Sequence, residues 1–342
     1  MTKQPSILII YTGGTIGMVM DSVTGVLHPF NFENLYDQIP EIQKFNYNID
    51  NISFDPLIDS SDMEPGIWKQ LAEIIKDNYD NYDGFVILHG SDTMSYTASA
   101  LSFMLENLSK PVVLTGSQLP IGMIRTDGKE NFITAIEIAA AKQNGRAVVP
   151  EVCIYFEYQL YRGNRAHKYN AEYFEAFRSV NYPILAQAGV EIKYNHQAIS
   201  KCDEKEFRVL TNMDLNVASL KLFPGIQQPY VKSVFNAEGL KGVILETFGS
   251  GNATTKQWFL KELEDTVNRG IIILNVTQCR GGAVKMGQYE TSTGLEKAGV
   301  ISGYDITYEA AITKMMYLFG NNHSTESVKK YIQTPLRGEM TV

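Results

Sequence analysis

The chain has little of what marks several broad classes of protein. Only three cysteines occur in 342 residues, Cys153, Cys202 and Cys279. An odd number at such wide spacings gives neither a disulfide framework nor a metal-ligand pattern, and it fits a reducing compartment. The histidines, His28, His89, His167, His196 and His323, show no zinc-like spacing, so no metal is expected. No stretch approaches the roughly 18 apolar residues that a membrane span requires. Before Thr12 there are one lysine and only about four strongly apolar residues, far short of a signal peptide's apolar region. A cytoplasmic location and no membrane partner are the expectations. Basic residues are outnumbered as well, 30 against 38 acidic, for a net charge of −8 without a basic stripe. A phosphate backbone would be repelled on average, which argues against a nucleic-acid partner.

What is present is ordinary soluble material, 44% hydrophobic and 20% charged, long enough for two domains with sizeable cores. The stretch around which the chain is organised is Tyr11-Thr12-Gly13-Gly14-Thr15-Ile16-Gly17, fed by the apolar run Ile7–Ile10. A short apolar run ending in glycines reads as a buried strand delivering a tight loop to the carboxyl edge of a parallel sheet, where open α/β folds bind ligands. Thr15 stands where a substrate would pass and is the first candidate nucleophile. The spacing is G-G-x-x-G, and no helix pattern or Gly-Lys-Ser/Thr follows, so dinucleotide and P-loop readings fail. A plain glycine turn remains the bland alternative at this point.

The same arrangement recurs. Gly84–Gly90 is an apolar strand ending in Ser91-Asp92-Thr93, with a helical pattern through Ala98, Leu101 and Met104 after it. Pro111–Ser117 is another, with Asp127-Gly128 opening the next helix, and the strand Glu151–Phe156 leads into Leu160–Lys168. Between β-like runs, Leu57–Met63 carries Ser60, Ser61 and Asp62 ahead of a helix through Trp68 and Leu71. Asp62 can cap that helix; adjacent hydroxyls at a helix start can also hold a small carboxylate. Residues 18–30 read as a mobile, lid-like connection, and Asn31–Leu35 as a capped helix start. His89 reads as a local hydrogen-bonding residue at a strand end.

Alternating strands and helices define an α/β fold, with a larger parallel-sheet domain over 1–193. Polar residues thicken over 194–216, the expected linker. Three further apolar runs in 217–342 read as a smaller C-terminal α/β domain.

Tyr-Thr-Gly-Gly-Thr-Ile-Gly at 11–17, Asp-Ser-Ser-Asp-Met at 59–63, His-Gly-Ser-Asp-Thr-Met at 89–94 and Leu-Tyr-Arg-Gly-Asn-Arg at 160–165 together resemble bacterial L-asparaginases of the cytoplasmic type I branch. The likeness runs on through Thr277-Gln278-Cys279 to Leu336–Met340 and so covers nearly the whole chain. It implies hydrolysis of L-asparagine to L-aspartate and ammonia without metal or cofactor, in a homodimer or homotetramer. By the same resemblance Thr15 matches the acylated nucleophile, and Ser91, Asp92 and Lys168 match the second catalytic group. Gly14, Ser60, Ser61 and Asp62, with Ser91 and Asp92, match the substrate pocket, and Asn252 lies in a loop that reaches a neighbouring subunit's site.

The chemistry of the residues agrees. An amide is a poor electrophile and a hydroxyl a poor nucleophile, so a base beside the hydroxyl and donors for the oxyanion are both needed. Backbone N–H groups of the glycine-bearing loops are candidate donors. A lysine works as a base only where burial or a cationic neighbour weakens its hold on the proton, and Arg162 and Arg165 precede Lys168. From the residues alone, Thr15 and Ser91 are rival nucleophiles.

Three departures from the family pattern stand out. Ser91 replaces the usual threonine, losing a methyl that restricts the hydroxyl. The lid stretch Thr24–His28 has no tyrosine; Tyr289 from a neighbouring subunit is a candidate substitute, and an ordinary surface or interface tyrosine is the alternative reading. Glu246 stands where a regulatory asparagine site would carry arginine, against that regulation. Two other functions compete: the amidase component of a tRNA-dependent amidotransferase, which adds an N-terminal domain that this chain's early first strand leaves no room for, and a non-catalytic amino-acid-binding protein, which would not need Thr15, Ser91 and Lys168 together.

Overall fold

The computed structural model describes residues 4–20, 27–29, 39–202, 205–287, 290–321 and 324–342, and the chain divides into two compact units, Met1–Thr211 and Asn212–Val342. In the first unit the strands and helices run β1 (Ser6–Tyr11), β2 (Met18–Met20), β3 (Leu27–Pro29), β4 (Asn48–Ser53), α1 (Pro65–Asn78), β5 (Gly84–Leu88), α2 (Met94–Met104), β6 (Leu105–Glu106), β7 (Val112–Thr115) and α3 (Gly128–Ala140). They continue through β8 (Lys142–Gln143), β9 (Arg146–Ala147), β10 (Val152–Phe156), β11 (Gln159–Arg162), β12 (His167–Lys168), β13 (Phe177–Arg178), β14 (Ala186–Gln187), β15 (Lys193–Tyr194) and β16 (Arg208–Val209).

Eight strands form the main sheet in the order β15-β14-β11-β10-β7-β5-β1-β4. The five from β10 to β4 are mutually parallel, in a register that aligns Ile9 with Val86, Val86 with Val113, and Val113 with Cys153. Strands β1, β5, β7 and β10 are buried at every position, as expected of a parallel sheet covered on both faces. Their side chains join Phe132, Ile136 and Ile138 of α3 in the core. The sheet is mixed because the short connection after Phe156 returns β11 antiparallel to β10. β4 has no apolar run to announce it; it is an edge strand whose residues are only partly covered, held by pairing along β1.

Because β1 is flanked by β4 on one side and β5 on the other, the chain's path reverses there, and the loops leaving β1 and β5 lie side by side. Within the connection expected at 18–30, Met18–Met20 pairs antiparallel with Leu27–Pro29, Met18 opposite Pro29 and Met20 opposite Leu27. Residues 24–26 of the lid stretch and the helix start at Asn31–Leu35 lie outside the described residues.

Much of the polar stretch expected as a linker belongs to the first unit. Ala198 and Ile199 are buried in its core, Phe207 stacks on Tyr79 with ring centroids 3.7 Å apart, and β16 pairs with β6. From Glu206 to Thr211 exposed side chains alternate with partly covered ones, so the segment reads as polar although it is packed on the first unit.

The second unit comprises β17 (Val217–Lys221), α4 (Gln228–Phe235), β18 (Gly242–Thr247), α5 (Gln257–Asn268), β19 (Ile272–Thr277), α6 (Glu290–Lys297), β20 (Ile301–Ser302), α7 (Tyr308–Asn321) and α8 (Thr325–Ile332). Its four strands are parallel in the order β17-β18-β19-β20. On α5, Phe259, Leu263 and Thr266 recur at helical spacing and are buried, the first two joining Val243, Leu245 and Ile273 in a second core. No helix among the described residues is long and apolar enough to cross a membrane.

Candidate active site

The glycine loop after β1 is shaped by backbone crowding. Gly13 and Gly14 have φ of 134° and 89°, which a side chain would make costly. A Cβ on Gly13 would also strike the Ile58 carbonyl, and one on Gly14 would lie 2.5 Å from the Gly90 nitrogen. The loops after β1 and β5 and the Leu57–Met63 segment are therefore packed backbone to backbone. Thr12 Oγ1 donates to Leu88 O at 3.0 Å and Ile58 N donates to Thr12 O at 2.8 Å, closing the seam. Thr15 follows at the first position of a single 3-10 turn, half-buried, with Ile16 and Gly17 beneath it. Tyr11 lies below Gly17; burial pushes its phenol up to about 12, so it serves as packing and not as a base.

Ser60, Ser61 and Asp62 form another 3-10 turn, and its capping residue is Asp59. Asp59 accepts from Ser61 N and from Ser61 Oγ, both at 2.8 Å, which holds its carboxyl below the usual range. Asp62 does not cap α1: Glu64 takes that position, without a side-chain cap, and Pro65 fills the first turn. Of the two adjacent hydroxyls, Ser61 is turned onto Asp59. Ser60 is buried beside Gly90, and its carbonyl receives the Thr93 hydroxyl at 2.6 Å.

After β5, Ser91 and Asp92 meet Lys168, which β12 delivers from across the sheet. Lys168 Nζ donates to Ser91 Oγ at 2.8 Å and to Asp92 Oδ1 at 2.6 Å. The lysine side chain is 17% exposed while that of Asp92 is 65% exposed, so the carboxylate is open to an incoming cation. Arg162 and Arg165, expected as cationic neighbours of Lys168, are committed elsewhere. Arg162 pairs with Glu151 at 2.7 Å and donates to Ser200 Oγ, and both guanidiniums lie over the Tyr182 ring. They brace the segment that carries Lys168.

His89 anchors this loop from below. Its Nδ1 must donate to Gly90 O at 2.6 Å, since a carbonyl only accepts, leaving Nε2 to accept from Thr97 Oγ1 at 2.9 Å. Trp68 Nε1 donates to the same hydroxyl at 3.0 Å. Burial holds the imidazole pKa down at about 4, with the Gly90 bond opposing. The unfolded chain takes up this proton first. The neutral imidazole therefore stabilises the fold fully above about pH 6.5, and roughly 3 kcal/mol is lost as pH falls towards 4. A His89→Gln chain should be less stable than the parent at pH 7, with the gap in urea midpoints narrowing towards pH 4. A gap constant across that range would rule the titration out.

Two contributors had no signal in the sequence, Gln118 and Asp127. Asp127 occupies the capping position of α3 without capping it. Its buried carboxylate instead accepts from Gln118 N, Leu119 N and Asn131 Nδ2 at 2.9–3.2 Å and fixes the loop after β7. Burial raises its pKa and those donors oppose the rise. Gln118 then reaches Ser91.

In the second unit Asn252 is held where Phe248 N donates to Asn252 O at 2.9 Å, and the glycine turn before it is fixed by Asn275 Nδ2 donating to Gly251 O at 3.2 Å. Tyr289 lies outside the described residues. Among the described residues no group of three or more His, Cys, Asp or Glu is arranged to hold a metal ion.

A threonine on a glycine loop and a serine held by lysine and aspartate, at the ends of parallel strands, define an α/β amidohydrolase. Residues 6–200 match the family model for the asparaginase N-terminal domain, and residues 216–332 match that for the glutaminase/asparaginase C-terminal domain. The chain belongs to the asparaginase family. It is 42% identical to L-asparaginase 1 of Escherichia coli over 340 residues, 99% of each chain. It is equally similar, 42%, to the mouse 60 kDa lysophospholipase, covering all of this chain but 64% of that one. The crystal structure of L-asparaginase I from Vibrio cholerae superposes with a TM-score of 0.90 at 42% identity, over 99% of this chain and 100% of that one.

Proposed function

We propose that the protein hydrolyses the side-chain amide of L-asparagine to L-aspartate and ammonia, with Thr15 as the acylated nucleophile. The observation that carries this reading is the Lys168–Ser91–Asp92 constellation beside the glycine loop of Thr15. Asp92, largely exposed, takes the α-ammonium of a free amino acid, and the turn at Ser60–Asp62 with Gly14 receives its α-carboxylate. Thr15 Oγ then forms a bond to the amide carbon while its proton passes to the site's base. Backbone N–H groups of the loop hold the oxyanion. Collapse breaks the C–N bond, ammonia leaves with a proton, and an aspartyl ester remains on Thr15. Ser91 and Lys168 draw a proton from the water that attacks this ester, releasing aspartate and the threonine hydroxyl.

The protein as purified should release ammonia from L-asparagine without RNA. Glutamine is one methylene longer, and its kcat/KM should be lower by about 10–200-fold because a site gripping both α-groups displaces its amide. Saturable binding without turnover would leave an amino-acid-binding protein, and ammonia release only with tRNA and a partner would leave an amidotransferase component.

Cytoplasmic location and a homodimer or homotetramer complete the proposal, supported by three cysteines too few and too widely spaced for a disulfide framework; the fixed Gly249–Asn252 loop and Tyr289 are the proposed contributions to a neighbouring site. Mixing inactive Thr15→Ala and Asn252→Ala chains is expected to restore activity through hybrid sites. No recovery despite proven subunit exchange would mean that each site is complete within one chain.

A further inference from the structure

Resting on that reading, the geometry points to Gln118 as a positioning residue that sets the direction of the Ser91 proton and ties the Ser91–Lys168 pair to the segment following β12. Ser91 Oγ donates to Gln118 Oε1 at 3.4 Å, and Gln118 Nε2 donates to Tyr173 O at 3.1 Å. The second bond fixes the first. A carbonyl can only accept, so the amide must turn its nitrogen to Tyr173 and present its oxygen to Ser91. Lys168 as an ammonium can only donate, and it donates to Ser91 Oγ. The hydroxyl's single proton is thus directed away from Lys168 and onto Gln118.

The result is a one-way chain from Lys168 through Ser91 and Gln118 to the Tyr173 carbonyl. This is the resting pattern with Lys168 protonated, in which Ser91 accepts from the lysine and parks its own proton on Gln118; when the neutral lysine acts as the base, the hydroxyl turns that proton to Lys168 and accepts from the attacking water. At 3.4 Å the Ser91–Gln118 bond is long, and breaking it costs less than breaking a hydrogen bond of ordinary length. The rotor is therefore biased and not locked, as a group that must reverse between proton donation and acceptance requires. Because Ser91 lacks the methyl that would restrict a threonine here, the bias has to come from a neighbour. Asp127 holds the Gln118 backbone in place, so the amide is aimed from a fixed base.

Two variants test this against a merely structural role. Gln118→Glu keeps an acceptor at Ser91 and loses the donor to Tyr173. The added carboxylate sits against a hydroxyl that must exchange protons with Lys168, so the profile of kcat/KM against pH should differ from the parent's. Gln118→Leu removes both bonds, and kcat should fall about tenfold while KM changes less than threefold, with thermal stability near that of the parent. Parent protein that releases no ammonia from asparagine would sink the functional reading itself. An active parent with a Gln118→Glu pH profile superimposable on its own would overturn the role of Gln118 alone. So would losses in both variants that follow their thermal stability.

Discussion

Replacing Thr15 by alanine is expected to lower kcat on L-asparagine by at least about four orders of magnitude while asparagine still binds, as for removal of a nucleophile. The reason is local. Thr15 rises from a loop whose backbone is fixed by Ile58 and Gly90, and the loop's other hydroxyl, Thr12, is buried and committed to Leu88 O. Lys168→Met should behave differently. It removes the donor to Ser91 and Asp92 and leaves the glycine loop untouched. With deacylation impaired more than acylation, an aspartyl ester accumulates and is read by mass spectrometry on the peptide containing Thr15. Finding the ester on the Ser91 peptide would exchange the roles of the two hydroxyls. Full activity in either variant would remove the proposed chemistry from this site.

The second large effect is expected far from any substrate. In the second unit Lys314 on α7 and Glu339 form an ion pair at 2.6 Å with both side chains 0% exposed. The ammonium also donates to Ile332 O at 3.0 Å and Thr334 O at 2.8 Å, and the carboxylate accepts from Leu336 N and Arg337 N. Burial lowers the lysine's pKa, while Glu339 works against that shift. Every donor and acceptor is thus used, and removing one partner leaves the other charge stranded without water. Lys314→Met and Glu339→Leu should each cost about 3–5 kcal/mol in urea unfolding. The double variant should cost much less than their sum, since two apolar groups of similar volume leave no buried charge. Additive losses would show the two residues to be uncoupled.

Some of this was legible in the order of residues alone. The runs Ile7–Ile10, Phe85–Leu88, Val112–Leu114 and Val152–Phe156 announced strands buried on both faces, and the 3.6-residue recurrence along α1 and α5 announced helices against them. Such patterns survive because burial is decided by the side chain's own chemistry, repeated at the element's period. The glycines of the first loop were legible for the same reason, since only that residue accepts such φ values freely. A likeness of motifs brought Thr15, Ser91, Asp92 and Lys168 together on the page. Composition misjudged the stretch from 194, where a few buried apolar residues such as Ala198 and Ile199 sit among many polar ones, and no apolar run marked the edge strand β4, which is held by pairing along β1. Nothing local could say that Asp127 reaches back to Gln118, that Gln118 meets Ser91, or that Lys314 needs Glu339. Those contacts join residues from different elements, and Lys168 meets Ser91 only because the chain returns across the sheet after 77 residues. The sequence by itself determined which segments are buried and which backbone turns are tolerated; the tertiary structure alone decided which polar groups share a proton, because strand order and loop packing set those distances.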